Sequence, residues 1–380
     1  IRLGEVPYRD FNLVLPLFSP FFYALPLFLF PSYITFFVVQ AGLLTVLFYL
    51  LEKRLSTKVY LLFFLIFFNF PLSLATGLFP GYNFLLFFFL ILLLDFEEKK
   101  ISDYWIGILL GIMILTKHTI GCFFFLPSVL FYFRSPKKIG KRLLGLMIPV
   151  LFFFLYLLCT KTLSSFIDLC VLGLFDFANM NHSGGNSFFF IGVFLLCFLY
   201  FLWVLIRERK IEVFYLFLTF LFVIPLLDYF HLSYFVWATI ILLLERVSIS
   251  EKLKYVFITL GVYMIGVWSV ITCCFLHLHL YSFPVFSFRF MTTDMKNNYS
   301  YVDSFEKKTD KDVILFLIGT ENYFYKITHY QTITYFDLPN YGNYGYHGTL
   351  KMQKRIDQVH DSYFFVNIAF LEQTPDTKGY

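Results

Sequence analysis

A short polar segment at the start of the chain carries the residues best suited to chemistry. Gly4–Phe11 reads GEVPYRDF and sets Tyr8, Arg9 and Asp10 directly ahead of a long apolar sequence. Charged side chains beside apolar spans are costly to desolvate and are usually kept for a ligand or a reaction. A carboxylate placed there could act as a general base toward a hydroxyl acceptor. Asp10 is therefore the first candidate for catalysis, and the alternative is a structural Arg9–Asp10 ion pair or a simple cap.

A second polar pair, Lys117 and His118, lies at the apex between two short apolar segments, with Thr116 and Thr119 on either side. An ammonium is a compact point charge, which suits the phosphate or pyrophosphate of a lipid headgroup without requiring planar geometry. The alternative is a lysine that snorkels from a helix end to the membrane surface. The neighbouring His118 favours the functional interpretation.

Two weaker candidates follow further along the chain. Asp228 and His231 are three residues apart in PLLDYFH, and that spacing places both side chains on one face of a helix. They could orient a sugar or bind a metal, although ordinary helix-end polarity explains them at least as well. The loop from Asp168 to Asn186 has the glycines and amides of an active-site loop, a composition that ordinary loops share.

The elements that position these residues are predicted to be apolar helices. Of the 380 residues, 59% are hydrophobic and only 14% are charged, whereas a soluble domain carries about 25% charged residues. A helix that crosses a membrane needs about 20 mainly apolar residues. We therefore predict an all-α polytopic membrane bundle of ten spans, with one more upstream of Ile1. The predicted spans are 32–51, 59–79, 82–96, 104–118, 119–133, 143–160, 188–206, 213–228, 231–245 and 255–276.

The basic residues of the predicted loops set the orientation of this bundle. One set of alternate loops holds sixteen Lys and Arg residues, whereas the opposite loops hold only four outside the C-terminal region. The basic set is therefore predicted to be cytoplasmic, and Asp10, Lys117, the 161–187 loop and the C-terminal hundred residues extracytoplasmic, in a multi-pass protein of the plasma or inner membrane. The cytoplasmic set is Lys53, Arg54, Lys58, Lys99, Lys100, Arg134, Lys137, Lys138, Lys141, Arg142, Arg207, Arg209, Lys210, Arg246, Lys252 and Lys254.

From Tyr281 onward the composition becomes that of a soluble domain. Val313–Gly319 and Ser362–Phe370 have the pattern of strands, and Thr349–His360 has that of an amphipathic helix. We therefore predict a small extracytoplasmic α/β domain at the C-terminus.

The first residues of the chain are predicted to form a loop on the membrane surface. Pro16, Pro20, Pro26 and Pro31 interrupt the apolar sequence, which favours one or two short amphipathic helices along the interface over a span. The predicted organisation is a transmembrane catalytic region over 1–280, in which 1–31 is the first external loop, and the α/β domain over 281–380.

Several function classes find no support in the sequence. No phosphate-binding loop, dinucleotide fingerprint, serine elbow or zinc motif is present. The six cysteines form no CxxC pair, and most lie in apolar runs, where they act as small hydrophobic residues. The basic residues are spread over short loops and not along one soluble face, so no nucleic-acid partner is expected.

GEVPYRDF at an external position, followed by a multi-span body, resembles the GT-C superfamily of polytopic glycosyltransferases, which includes relatives of protein O-mannosyltransferases and aminoarabinose transferases. Three further pieces look like bacterial members of that group. Gly107–Gly121 resembles their small-residue span that ends in a lysine, and Pro225–His231 their proline, acid and histidine boundary. Asp337–Gly348 (DLPNYGNYGYHG) resembles a glycine-rich stretch of the external domain of some members.

The resemblance implies an enzyme that takes a hexose or pentose from a polyprenyl-phosphate donor and passes it to a surface glycan, lipid or protein acceptor. Carried over by position, Asp10 would be the acid of the first external loop and Lys117 a contact of the donor phosphate. Many members bind a divalent cation through several acids, whereas no second acid adjoins Asp10, so no metal ligand is predicted and a divalent cation is left open. The further candidates for donor or substrate binding are Arg9, Tyr8, His118, Asp228 and His231.

Two other functions remain as alternatives. A non-enzymatic transporter or flippase for polyprenyl-linked glycans predicts repeated halves and ionisable residues near the middle of the membrane. The sequence shows no internal repeat, and its notable charges gather on one predicted face. A polysaccharide polymerase or ligase would also use outer polar loops, but it gives no reason for GEVPYRDF.

Overall fold

A computed structural model describes residues 6–30, 33–55, 81–175, 188–223 and 229–246, with short pieces between 279 and 366. Most of these residues are helical. The described helices are α1 Phe18–Leu29, α2 Tyr33–Leu55, α3 Tyr82–Glu98, α4 Asp103–Thr116, α5 His118–Tyr132, α6 Pro136–Cys159, α7 Leu163–Phe175, α8 Phe188–Glu208, α9 Ile211–Val223 and α10 Tyr229–Leu244. A 3₁₀ stretch lies inside α5 at Cys122–Phe125, and α9 ends in another at Leu218–Val223.

Helix positions agree with the apolar pattern of the sequence. The described residues of eight of the ten predicted spans fall on helices or helical turns, while 59–79, 255–276 and residues 32 and 224–228 lie outside the described residues. Two helices, Pro136–Cys159 and Phe190–Glu208, are long and apolar enough to cross a membrane. Six further apolar helices have 10–17 residues, so the count of ten spans stays a prediction.

The two long helices expose most of their apolar surface. Only 22% of the apolar window of α6 and 17% of that of α8 is buried inside the protein. Phe152 on α6 is 70% exposed, and Leu196 and Ile206 on α8 are 72% and 74% exposed. Large continuous apolar surfaces are rare on proteins in water. These faces are suited to contact with lipid.

Helix α3 forms the centre of the bundle. Eleven of its 17 residues are buried, as expected of a helix that is apolar on every side. It packs against α2, α4 and α9, and its side chains join one large apolar cluster with those of α8 and α10. The polar residues at its two ends, Asn83 and Glu97, therefore project from the core into the two ends of the bundle.

Helices α4 and α6 pack together at backbone distance through glycines. A Cβ atom added to Gly107 would lie 2.1 Å from the carbonyl oxygen of Arg142, and one added to Gly111 would lie 2.5 Å from that of Leu146. On the α6 side, a Cβ on Gly145 would lie 2.2 Å from a carbonyl oxygen of α4. Small residues at this spacing let membrane helices approach closely. The contacts of Gly107 and Gly111 advance along α6 in chain order, so α4 and α6 run in the same direction and α5 returns between them.

The bundle therefore has two ends of different chemistry. The end of α3 and the beginnings of α4 and α6 meet at the basic end, defined by Glu97, Asp103 and Arg142, which are in contact. The site end, defined by Asp10, Lys117 and Cys170, lies where α4 and α6 terminate.

The segment that is predicted to be the first external loop contains one described helix. The 12 residues of α1 extend about 18 Å, which is too short for the roughly 30 Å of hydrocarbon in a bilayer. That this segment does not span stays a prediction, and the length of α1 is compatible with it. Its predicted position along the membrane surface stays a prediction.

Four short strands are described in the C-terminal region. Strand β1, His279–Tyr281, pairs antiparallel with β2, Arg289–Met291, and β3, Asp312–Phe316, pairs parallel with β4, Ser362–Val366. Parallel strands need a crossover connection, and positions 348, 350, 351 and 354 between β3 and β4 are helical. Most of 281–380 lies outside the described residues, so a complete α/β domain stays a prediction.

Candidate functional site

The described chain begins in a tight turn that fixes the position of Asp10. The N–H groups of Arg9 and Asp10 both donate to the carbonyl of Val6, at 3.2 and 2.9 Å, and the N–H of Tyr8 donates to Phe11 at 2.9 Å. Tyr8 has a φ of +68°, a left-handed conformation that costs a side-chain-bearing residue about 1–2 kcal/mol. Such strain persists only where the surroundings enforce it, and it is frequent at functional sites.

The contacts of the Tyr8 side chain hold the backbone in this strained conformation. It is 4% exposed, its hydroxyl donates to the carbonyl of Leu15 at 2.7 Å, and its ring packs edge-on against Phe166 at 5.5 Å. Burial raises the pKa of the Tyr8 hydroxyl, with a smaller contribution from Cys170, so the phenol stays neutral. The geometry favours Tyr8 as the anchor of the turn, and its predicted contact with substrate stays a prediction.

Asp10 is ion-paired with its neighbour. Its Oδ1 accepts from Nε of Arg9 at 2.8 Å, and its Oδ2 accepts from Nη2 of Arg9 at 2.9 Å and from the N–H of Val6 at 2.7 Å. These bonds, first those from Arg9 and then that from Val6, lower the pKa of Asp10 to about 2. The carboxylate is therefore ionised at neutral pH, and one third of the side chain is exposed. The Arg9–Asp10 pair that the sequence left as an alternative is present, and it coexists with an accessible carboxylate.

The side chain of Lys117 is turned into the bundle. Its Nζ donates to Oδ1 of Asn83 at 2.9 Å and lies 4.9 and 5.9 Å from the ring centroids of Tyr82 and Phe222. Asn83 is fully buried, and its Nδ2 has no hydrogen-bond partner among the described residues. A snorkelling lysine would extend toward water, so the geometry argues against that alternative, and the predicted contact of Lys117 with a donor phosphate stays a prediction.

The imidazole of His118 has a defined proton position. Its Nε2 lies 2.7 Å from the carbonyl oxygen of Cys170, and because a carbonyl only accepts, Nε2 must carry the proton. The other ring nitrogen, Nδ1, is buried and has no partner in the part of the chain that the structure describes. In the neutral ring this nitrogen is a hydrogen-bond acceptor.

Cys170 joins the two predicted segments at the site end. Its thiol donates to the carbonyl of Leu13 at 3.2 Å, while its own carbonyl accepts from His118. It also shares an apolar cluster with Tyr8 and Leu169. The first loop and the Lys117–His118 turn therefore lie at the same end of the bundle, as the sequence predicted.

The third predicted pair is described only in part. Asp228 lies outside the described residues, so its shared helical face with His231 stays a prediction. His231 is in the first turn of α10, and one turn later Tyr234 stacks on Phe222 at 5.2 Å. Because Phe222 is one of the rings beside Lys117, His231 belongs to the site end. Of the loop candidates, Asp168 is described and the residues 176–187 are not.

Sequence reasoning missed a buried ionic cluster at the basic end. Arg142 is 1% exposed; it donates to Glu97 from both terminal nitrogens, at 2.6 and 2.9 Å, and from Nε to Asp103 at 2.9 Å. It also donates to Ser128 at 3.0 Å, and Tyr215 donates to Glu97 at 3.2 Å. These side chains come from α3, α4, α5, α6 and α9, so the cluster ties five helices together.

The sequence predicts Arg142 to lie in a cytoplasmic loop, and this prediction is wrong. Helix α6 begins at Pro136, seven residues before the predicted start at 143, and so includes the basic sequence. A signal was present, because proline is favoured in the first turn of a helix.

Ion pairs also hold the other described basic segments at this end. Arg54 of α2 pairs with Glu245 next to α10 and with Glu98 of α3 at 3.7 Å. Arg246 pairs with Glu208 of α8 at 2.6 Å. The described loops that were predicted to be cytoplasmic therefore gather at one end of the bundle, away from Asp10.

No group of three or more His, Cys, Asp or Glu side chains able to hold a metal ion is found among the described residues, and the divalent cation that the resemblance left open stays open. Comparison of the chain with protein-family models, with curated proteins and with solved structures gives no match. The likeness to GT-C glycosyltransferases therefore rests on the sequence motifs alone and stays a prediction.

Proposed function

We propose that this chain is an integral membrane glycosyltransferase, which moves a sugar from a polyprenyl-phosphate donor to a surface glycan, lipid or protein acceptor on the extracytoplasmic face. The observation that carries the proposal is the contact of Cys170 with both Leu13 and His118. Through it, an ionised carboxylate and an inward-turned lysine occupy the same end of one bundle. A base for the acceptor hydroxyl and a positive charge for the leaving phosphate are suited to sugar transfer from a lipid phosphate.

The reaction assigns a separate role to each charge. The acceptor hydroxyl attacks the anomeric carbon of the donor sugar, its proton passes to Asp10, and the bond from that carbon to the phosphate oxygen breaks. The polyprenyl phosphate leaves with its electron pair, and the ammonium of Lys117 offsets the charge that develops on it. The fixed turn around Asp10 reduces the entropy lost in aligning this base with the acceptor hydroxyl.

The pairing of Asp10 with Arg9 has a consequence for this mechanism. A pKa near 2 keeps the carboxylate in its basic form at every physiological pH, but it also weakens its affinity for a proton. Asp10 therefore accepts the proton late, when the acceptor oxygen has already bonded to the sugar. A substrate hydroxyl that displaces Arg9 would strengthen the base at the moment of reaction.

The test is sugar transfer by the purified chain in lipid nanodiscs, supplied with polyprenyl-phosphate sugars and acceptors extracted from the host surface. We expect Asp10→Asn to insert and fold as the unsubstituted chain does and to lose at least a hundredfold in transfer rate, the lower range for a lost general base. Asp95→Asn, which alters an acid paired with Lys99 at the basic end, is the matched control and should retain the rate.

Full transfer by folded Asp10→Asn would remove Asp10 from the reaction. Translocation of a labelled lipid-linked glycan across the bilayer, with no transfer under any donor, would favour the flippase. Mass spectrometry of host surface glycans with and without the protein identifies the sugar and the acceptor.

A further inference from the structure

Asp168 holds residues from the distant C-terminal region. It lies in the π-helical turn Ile167–Leu172 within α7, and its Oδ2 accepts a hydrogen bond from Nζ of Lys351. Its Oδ1 accepts from the backbone N–H of Tyr346 at 3.3 Å. One carboxylate thus binds both a charged side chain and a backbone group of the same segment. π-Helical turns are rare and are often found at functional positions.

The shape of the contact depends on Gly345. Its φ is +77°, and a Cβ atom placed there would lie 2.4 Å from Oδ2 of Asp168 and 3.2 Å from the carbonyl oxygen of Asp168. The positive φ therefore favours glycine, and a larger residue would also displace the Asp168 carboxylate from this position. An ion pair between surface side chains alone would not require a glycine at position 345. The backbone of this segment therefore packs closely against the Asp168 carboxylate.

This contact adjoins the site end. Asp168 is two residues before Cys170, which binds Leu13 and His118, in the same π-helical turn. Gly345 and Tyr346 belong to the glycine-rich sequence DLPNYGNYGYHG, whose role the proposed reaction leaves unassigned. Gly345 and Tyr346 contact the π-helical turn, which also contacts the first loop and the Lys117–His118 turn.

We propose that Gly345, Tyr346 and Lys351 form a clasp that docks the C-terminal region onto Asp168, beside the Cys170 contact. Asp168 is a positioning residue in this arrangement, because it acts through the segment that it holds. The clasp does not depend on Asp10 acting as a base. The clasp is an interaction surface between the bundle and its own C-terminal region. It does not depend on which reaction the site performs.

The test measures protease access to the clasp in the full chain in nanodiscs. Chymotrypsin cleavage after Tyr346 is followed by mass spectrometry under conditions in which opening limits the rate. The Asp168–Lys351 pair is half-exposed, with side chains 34% and 50% accessible, so its loss should open the clasp without unfolding the bundle. We expect Asp168→Lys and Lys351→Glu each to speed cleavage roughly three- to tenfold. In the chain that carries both substitutions, the cleavage rate should return close to that of the unsubstituted chain.

Two further variants make the result decisive. Lys354→Glu changes an exposed lysine one turn after Lys351 and should leave cleavage unchanged, whereas Gly345→Ala should speed it as the reversals do. Equal effects of Lys354→Glu and Lys351→Glu, no recovery in the double reversal, or an unchanged Gly345→Ala would overturn the clasp. Because the readout is proteolysis, a failure here is distinct from a failure of the proposed sugar transfer.

Discussion

At the scale of single residues, uncharged partners position the polar candidates of the site end. Asn83 accepts a hydrogen bond from Lys117, and the carbonyl of Cys170 accepts one from His118. The partners Asn83 and Cys170 could not be foreseen, because neither carries a charge or belongs to a motif. Spatial proximity alone reveals them.

The ionisation of Asp10 makes a prediction about pH. Its folded-state pKa is lowered, from an ordinary 3.8 to about 2, so the ion pair with Arg9 favours the folded state above the ordinary pKa. That contribution is lost as the pH falls through about 2. We expect the thermal unfolding midpoint of Arg9→Gln to lie below that of the unsubstituted chain by a constant amount from pH 7 to about pH 4, and the difference to shrink toward pH 2. Tryptophan fluorescence in nanodiscs measures both midpoints.

A different titration would contradict this assignment. If the two midpoints converged between pH 7 and pH 5, Asp10 would have a raised pKa and would belong to an environment unlike the turn described. Lys138→Gln, which changes an exposed lysine at the basic end, serves as the matched loss of one positive charge.

At the scale of elements, helix positions followed from apolar runs, but their exact bounds did not. The predicted start of α6 at 143 was set by where hydropathy rises, whereas the helix begins at Pro136. Paired charges explain the difference, because Arg142 is neutralised by Glu97 and Asp103 inside the protein. Such buried ion pairs depend on which helices are neighbours in the folded protein, and the hydropathy of the local sequence does not indicate this.

The glycine contact between α4 and α6 gives a prediction with an internal control. We expect Gly145→Ala to lower the free energy of unfolding by about 1–3 kcal/mol, because the added methyl would meet a backbone carbonyl that cannot move aside by rotating. A Cβ on Gly140 of the same helix meets nothing within 4 Å. Gly140→Ala should therefore be neutral or stabilising by up to about 1 kcal/mol.

Reversible unfolding in mixed detergent measures both free energies. Equal effects of the two alanine substitutions would show that α4 and α6 do not approach as closely as described. The sequence marked Gly107–Gly121 as a span of small residues, and the structure supplies the physical reason, since the glycines carry the contact with α6. The partner helix could not be deduced from the spacing alone.

At the scale of the whole molecule, charge gives the bundle its polarity. Positive-inside reasoning separated the basic loops from Asp10 and Lys117, and the described ends of the bundle show the same separation. The ionic cluster around Arg142 was missed, yet it reinforces that division by fixing five helices at the basic end. The clasp at Asp168 was also beyond prediction, because its partners are nearly two hundred residues apart in the chain.

The proposed transfer requires the site end of the bundle to face the outside of the membrane and the basic end to face the cytoplasm. Sided labelling in intact cells with a membrane-impermeant maleimide tests this directly, using Arg9→Cys and Lys161→Cys for the site end and Lys138→Cys for the basic end. The unsubstituted chain, with its six cysteines, gives the background. We predict external labelling at positions 9 and 161, and labelling at 138 only after permeabilisation. Labelling of positions 9 and 138 from the same side would contradict the predicted orientation of the bundle.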